Sequence, residues 1–204
     1  MHTSLPSHID WHALPAQLPP LLLPLTPALP ASREREAAVL LLWCENGGAP
    51  YTLLTQRSAD LPLHPGQISL PGGRVEASDA SLEGTALREA HEEVGLPAAA
   101  VRLLGRLPTA SVSSGFTITP VVGYCSGRPR LQPSEREVAR LIELPLFLAL
   151  DCSRYGYDSL ERNGEIRQFR FLQFEEHFIW GATARILLSL AERVAPLLQS
   201  ASSR

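Results

Sequence analysis

The chain has 204 residues, 45% of them hydrophobic, with 21 acidic against 18 basic side chains and a formal net charge of -3. That length suits one domain, or one domain with a tail, while the slight acidic excess leaves no basic face for duplex nucleic acid, so no nucleic-acid partner is expected. All 18 basic residues are arginine, which excludes Schiff-base chemistry, a phosphate-loop lysine and a lysine general base. Phosphate recognition therefore falls to arginine, backbone N–H groups or a metal. Cys44, Cys125 and Cys152 are far apart and form no CxxC. Such a sparse, odd set points to reduced thiols in a cytoplasmic setting and away from a disulfide framework or a zinc site. The apolar run from Leu18 to Pro30 is broken by Pro19, Pro20, Pro24 and Pro27 and cannot span a membrane as a helix. A soluble, unexported protein with no membrane partner is expected.

In chain order, seven of the 18 prolines fall in the first 30 residues. Residues 1–32 are accordingly expected to be a proline-rich, mostly extended lead segment, and residues 33–204 the folded domain. Glu36–Cys44 reads as a buried strand, Asn46-Gly47-Gly48 as a turn and Tyr51–Arg57 as the returning strand. Gln67–Leu70 is a short strand ended by Pro71-Gly72-Gly73. Residues 79–94 read as a helix, with Asp79 as N-cap, Gly95 just past its end and Pro97 beyond. Val101–Leu107 and Phe116–Tyr124 are expected strands, Glu137–Leu150 a helix or helix pair, and Glu165–Phe174 a further strand. Ile186, Leu187, Leu190, Val194, Leu197 and Leu198 recur at helical spacing, so the C-terminus is an amphipathic helix, with Trp180 expected to pack beneath it. Interspersed strands, helices and hairpin signals favour an α/β (α+β) sandwich with a mixed sheet over a doubly wound parallel sheet.

The run Arg88-Glu89-Ala90-His91-Glu92-Glu93-Val94-Gly95-Leu96 carries the chemistry. At roughly 100° per residue, Glu89, Glu92 and Glu93 fall within an arc of about 100° on one helix face. Glu89 and Glu93 are a like-charge i,i+4 pair, which costs roughly 0.2–0.5 kcal/mol. All three also lie near the helix C-terminus, where the dipole disfavours anions. Negative charge is placed where helix physics resists it. The charges alone leave two readings open: a solvated face, or a site for a hard cation such as Mg²⁺ or Mn²⁺.

Gly72-Gly73 followed by this Arg-Glu-x-x-Glu-Glu-x-Gly-aliphatic run resembles the signature box of the Nudix hydrolases. The first carboxylate of the family pattern is here Asp79, and the segment from it to Arg88 is one residue longer, so no role is carried over to Asp79. Upstream, Leu53-Leu54-Thr55-Gln56-Arg57-Ser58 leads through Gly66 to Leu70-Pro71-Gly72-Gly73, which is similar to the additional motif of the coenzyme A pyrophosphatase branch. Pro62 stands where that branch has arginine, and Leu70 where it has phenylalanine. Gly115-Phe116-x-Ile118-x-Pro120 and Ile179–Arg185 are similar to later segments of the branch, and the resemblance covers about Arg35 to Leu190.

The resemblance implies a Nudix-type α/β/α sandwich and a Mg²⁺- or Mn²⁺-dependent pyrophosphatase. It would cleave coenzyme A, or its derivatives, to 3′,5′-ADP and 4′-phosphopantetheine. It implies that Glu89 and Glu93 hold the metal, that Glu92 binds metal or accepts the proton of water, and that Arg88 orients a neighbouring glutamate. Gly72 and Gly73 would let the backbone approach the substrate; an ordinary turn is the alternative. Arg57 is a candidate phosphate or adenine contact, or else a solvated strand-end arginine. Ser113 and Ser114 belong to a candidate substrate-side loop or are plain loop residues. His64 and His91 lack a partner histidine at ligand spacing. Glu137 is read as a surface helix position more readily than as a downstream catalytic carboxylate. Other hydrolysed substrates fit the same box, namely ADP-ribose, NADH or an oxidised nucleotide, and a non-cleaving nucleotide sensor is the rival of another class. A homodimer is compatible with the sequence.

Overall fold

The computed structural model describes residues 9–26, 29, 34–45, 49–112, 115–162 and 164–202. Its centre is β1 (Glu36–Cys44), whose Leu40, Leu41, Leu42, Trp43 and Cys44 are wholly buried. A strand covered on both faces has no polar side to alternate with, which is why this stretch is continuously apolar. β1 pairs in parallel with β7 (Thr117–Cys125) along its whole length, from Glu36 opposite Thr117 to Cys44 opposite Cys125. It pairs antiparallel with β2 (Tyr51–Arg57) at its end and with β4 (Gly72–Arg74) near its start. β3 (Ile68–Ser69), β5 (Arg102–Arg106), β6 (Ala110–Ser111) and β8 (Val138–Pro145) complete this mixed sheet. A separate antiparallel sheet holds β9 (Tyr155–Arg162), β10 (Glu165–Phe174) and β11 (His177–Trp180).

Helices cover both faces, giving the expected sandwich. α2 (Leu82–Val94) sets Leu82, Ala86, Ala90 and Val94, an i,i+4 stripe, against Ala38, Leu40, Leu42 and Val121. Across the sheet, α4 (Gly181–Ser202) buries Ala184, Leu187, Leu190, Ala191 and Val194 over Leu41, Trp43, Leu54 and Val122. Ile186, Leu187, Leu190 and Val194 are buried as the spacing predicts, and Leu197 and Leu198 pack against the same core. Trp180 is half-buried, 5.2 Å from the Phe169 ring.

Several expectations need correction. Glu137–Leu150 is not a helix pair: β8 pairs with β2 from Arg57–Val138 to Tyr51–Pro145, and only α3 (Leu146–Ala149) is helical. Ile142, Leu144 and Leu146 are buried at a spacing of two, so sheet pairing overrides the helical preference of leucine, glutamate and arginine. β4, β6, β9 and β11 were not foreseen as strands. α2 starts at Leu82 with Ser81 as N-cap, its hydroxyl accepting from the Gly84 N–H at 3.0 Å. The Asn46–Gly48 turn lies outside the described residues.

The lead segment is not mostly extended. Leu14–Gln17 forms α1 and Pro19–Leu21 one 3₁₀ turn, and Trp11, Leu14, Leu18 and Leu22 are buried in the core beneath α4. Leu23 exchanges backbone hydrogen bonds with Arg106 at 2.8 and 2.9 Å. The Thr26 N–H then donates to Glu83 Oε1 at 2.9 Å, tying the segment to α2. Leu18 is fully enclosed, so Leu18→Ala is expected to cost about 2–4 kcal/mol in urea unfolding. Unchanged stability would show that the segment is not part of the core.

Candidate active site

Two elements meet at the site, the second half of α2 and the short strand β4. A Cβ on Gly72 would lie 2.4 Å from the Ala38 carbonyl oxygen, and one on Gly73 2.5 Å from the Glu89 carboxylate. Only glycines therefore let β4 lie flat between β1 and the carboxylates. The Gly72 N–H donates to Glu93 Oε2 at 3.2 Å. Glu93 and Glu89 thus face successive residues of one backbone, while Glu92 is half-exposed and turned onto Arg88.

Arg88 organises this helix face. Its Nε and Nη2 grip Asp79 at 2.9 and 3.0 Å. Nη1 donates to Glu89 at 3.0 Å and to Glu92 at 2.9 Å, and Nη2 also donates to the Arg74 carbonyl at 2.9 Å. Asp79 further accepts from the Glu76 N–H at 2.8 Å and the Thr85 hydroxyl at 2.9 Å. The Arg88 hydrogen bonds, helped by those from Glu76 and Thr85 and opposed by burial, hold the Asp79 carboxyl down at about 2. The sequence reading missed Asp79 as the anchor of Arg88. Its position after a five-residue gap from Gly73, where the box has a carboxylate, was the available signal.

Glu93 is only 4% exposed. Burial pushes its carboxyl up to about 7; the Gly72 N–H and Arg57 oppose this, and the charges of Glu89 and Glu137 add to it. Glu89 is raised chiefly by burial, against the pull of Arg88. Arg57 sits at a register shift between β2 and β8. Its Nη1 lies 4.0 Å from Glu93 and its Nε donates to the Leu63 carbonyl at 3.3 Å, so it faces the carboxylates and is not a freely solvated strand end.

Glu137 corrects the sequence reading. It sits in a turn before β8, with its N–H bonded to the Ser134 carbonyl at 3.0 Å, and not on a helix. Gln132 and Ser134 donate to the Val94 and Glu93 carbonyls at 2.9 and 2.8 Å, so this loop caps α2 and brings Glu137 to the cluster. His91 is exposed, its Nδ1 3.3 Å from the Leu96 carbonyl, and His64 is exposed in a loop. Ser113 and Ser114 lie outside the described residues. A cavity of about 320 Å³ lined in part by Trp11, Phe147, Cys152 and Leu198 belongs to the α4 layer, across the sheet from these groups.

The donor set tests well against a hard divalent cation. Glu93 is a buried carboxylate only partly compensated by one N–H and a guanidinium at 4.0 Å, and Glu89 beside it is also under-compensated. All the donors are oxygen, as Mg²⁺ and Mn²⁺ require. Among the described residues, three potential ligand atoms lie within 4.8 Å of one another at Glu175, Glu176 and His177. There Arg140 already holds Glu176 at 2.8 Å.

A mixed sheet between helices, with a carboxylate-bearing helix set against a Gly-Gly strand, defines the class. The NUDIX domain model matches residues 33–187, and the chain belongs to the Nudix family. It is 42% identical over 180 residues to a protein of Pectobacterium atrosepticum named uncharacterized Nudix hydrolase NudL, covering 88% of this chain and 90% of that one. A protein of the same name from Yersinia enterocolitica is 43% identical over 165 residues, covering 80% and 84%. The crystal structure of a MutT/nudix family protein from Enterococcus faecalis shares the fold, with a TM-score of 0.50 at 20% identity over 82% of this chain and 65% of that one. Among the described residues no helix is long and apolar enough to cross a membrane.

The two shifted carboxyls give opposite pH signatures. Glu93 keeps its proton in the folded, metal-free chain up to about 7, against 4.5 for an ordinary carboxyl. The folded state therefore binds more protons in that window, and this group's contribution to stability falls as pH rises through it. Asp79, held at about 2 against 3.8, contributes fully above 3.8 and loses that contribution as pH falls through about 2. In EDTA, Glu93→Gln is expected to gain stability relative to wild type as pH rises from 4.5 to 7. A difference in melting temperature that stays flat across the window would contradict the burial of a costly charge.

Proposed function

We propose that this Nudix hydrolase is a pyrophosphatase that uses Mg²⁺ or Mn²⁺ and cleaves the diphosphate of coenzyme A or its derivatives to 3′,5′-ADP and 4′-phosphopantetheine. The observation that carries the reading is the set of Glu89 and Glu92, held by Arg88, and Glu93, held by the Gly72 N–H, gathered against Gly72–Gly73. A phosphoanhydride repels an attacking water by its negative charge, so a catalyst must neutralise that charge and place the water in line. Glu89 and Glu93 would hold the metal, which when bound supplies the charge neutralisation and polarises phosphorus. Glu92, half-exposed and steadied by Arg88, is the carboxylate placed to take the proton of the water or to complete the metal's ligands. Glu137 adds negative charge on the loop that caps α2. Arg57, beside Glu93, is placed to meet a phosphate oxygen of the bound diphosphate.

The substrate is favoured by the run from Leu53 to Gly73. It forms β2, a loop, β3 and the start of β4, and ends on the two glycines that touch Glu93 and Glu89. Of the motif similar to that of the coenzyme A branch, Arg57, Gly72 and Gly73 thus stand at the carboxylates. The three free cysteines fit a cytoplasmic setting.

Product analysis tests the proposal. Incubation with coenzyme A and Mg²⁺ is expected to release 3′,5′-ADP and 4′-phosphopantetheine, with Glu93→Gln lowering kcat by roughly two orders of magnitude or more. Cleavage of ADP-ribose alone would keep the hydrolase and discard the coenzyme A assignment. Near-normal turnover by the variant would overturn the metal role of Glu93.

A further inference from the structure

Three arginines converge on the turn between β6 and β7 without a carboxylate partner. The turn is closed by the Val112 N–H on the Phe116 carbonyl at 3.0 Å and by the Gly115 N–H on the Val112 carbonyl at 2.9 Å. The Arg74 guanidinium lies over the Phe116 ring, 4.7 Å from its centroid. Arg35 crosses Gly115 so closely that a Cβ there would meet its Nη1 at 2.5 Å, and its carbonyl accepts from the Thr117 N–H at 2.8 Å. Arg185, in the first turns of α4, donates from Nη2 to the Ser111 carbonyl at 2.6 Å.

All three are exposed, and among the described residues none has an acidic group within 4.0 Å, whereas Arg57, Arg88 and Arg106 each do. Gathering like charges around one short turn is unfavourable without an anion. Each guanidinium has five N–H donors in a planar fork suited to phosphate. Among the described residues the Arg185 guanidinium meets a neutral carbonyl, that of Arg74 a ring face, and that of Arg35 the backbone of Gly115.

The position relates this cluster to the carboxylates. Arg74 follows Gly73, whose α-carbon abuts Glu89, and the Arg74 carbonyl accepts from Arg88. Successive residues of a strand face opposite sides of the sheet, so an anion on the arginines would lie across the short strand β4 from the carboxylates, a separation that one extended nucleotide substrate spans. The diphosphate is already provided for by the cation that Glu89 and Glu93 suit, so the arginines are surplus to it. We propose that Arg35, Arg74 and Arg185 form a subsite for a phosphomonoester that the nucleotide substrate carries in addition to its diphosphate. This rests on the hydrolase reading for which molecule is bound, but not for the presence of the anion site.

The test is equilibrium binding by calorimetry of adenosine 3′,5′-bisphosphate, adenosine 2′,5′-bisphosphate and AMP, at fixed Mg²⁺. At least one bisphosphate is expected to bind about tenfold more tightly than AMP, and which one does so locates the extra phosphate on the ribose. Arg74→Gln and Arg185→Gln, made separately so that a folding failure of one leaves the other readable, are expected to lose that preference with unchanged melting temperature. Equal affinity for all three ligands, no measurable binding, or a preference retained in both variants would overturn the subsite. Absence of turnover on every diphosphate, with the preference intact, would instead sink the hydrolase reading and leave the subsite standing.

Discussion

Arg88 uses all five of its N–H donors within the fold: two on Asp79, one each on Glu89 and Glu92, and one on the Arg74 carbonyl. Through these bonds one side chain joins the loop before α2, the helix face and the edge of β4. Asp79 makes that grip durable, since its carboxylate is itself fixed by the Glu76 N–H and the Thr85 hydroxyl. The like-charged glutamates of α2 can then lie close together at a helix end that disfavours them, because a cation held from outside the helix offsets part of their repulsion. The remaining excess of negative charge is concentrated on Glu93 and Glu89, the two that face Gly72 and Gly73.

The rest of the architecture keeps that arrangement in place. β4 can approach β1 only because Gly72 has no side chain, and it can approach α2 only because Gly73 has none. α2 is fixed from below by its Leu82, Ala86, Ala90 and Val94 stripe and at its end by the loop from Gln132 to Glu137. On the other face the lead segment fills the α4 layer with Trp11, Leu14, Leu18 and Leu22, then crosses to Glu83 in the first turn of α2. Chemistry occupies one layer of the sandwich and much of the packing lies in the other.

Much of this is legible in the amino-acid sequence. The continuous apolar run of β1, the returning strand β2, the helical arc of glutamates and the amphipathic α4 each follow from a periodicity that packing preserved. What escaped reading has physical causes. β8 carries leucine, glutamate and arginine, whose helical preference yields to pairing with β2. β4 is Gly-Gly-Arg, with almost no side chains to show a pattern, and its pairing with β1 is made by the backbone. Asp79 is separated from Arg88 by one residue more than the usual spacing, and the lead segment's prolines concealed leucines at positions that bury. Glu137 could be placed near the carboxylates only by the loop that caps α2, a contact between segments distant in sequence.

The face of α2 against Gly72–Gly73 has the oxygen donors and the uncompensated negative charge that suit a divalent cation. Anomalous diffraction from crystals soaked in Mn²⁺ tests it most directly. A peak is expected within direct coordination distance, about 2.0–2.3 Å, of oxygens of both Glu89 and Glu93, and is lost in Glu93→Gln. A peak confined to the Glu175–Glu176–His177 turn, or none at the α2 carboxylates, would contradict it.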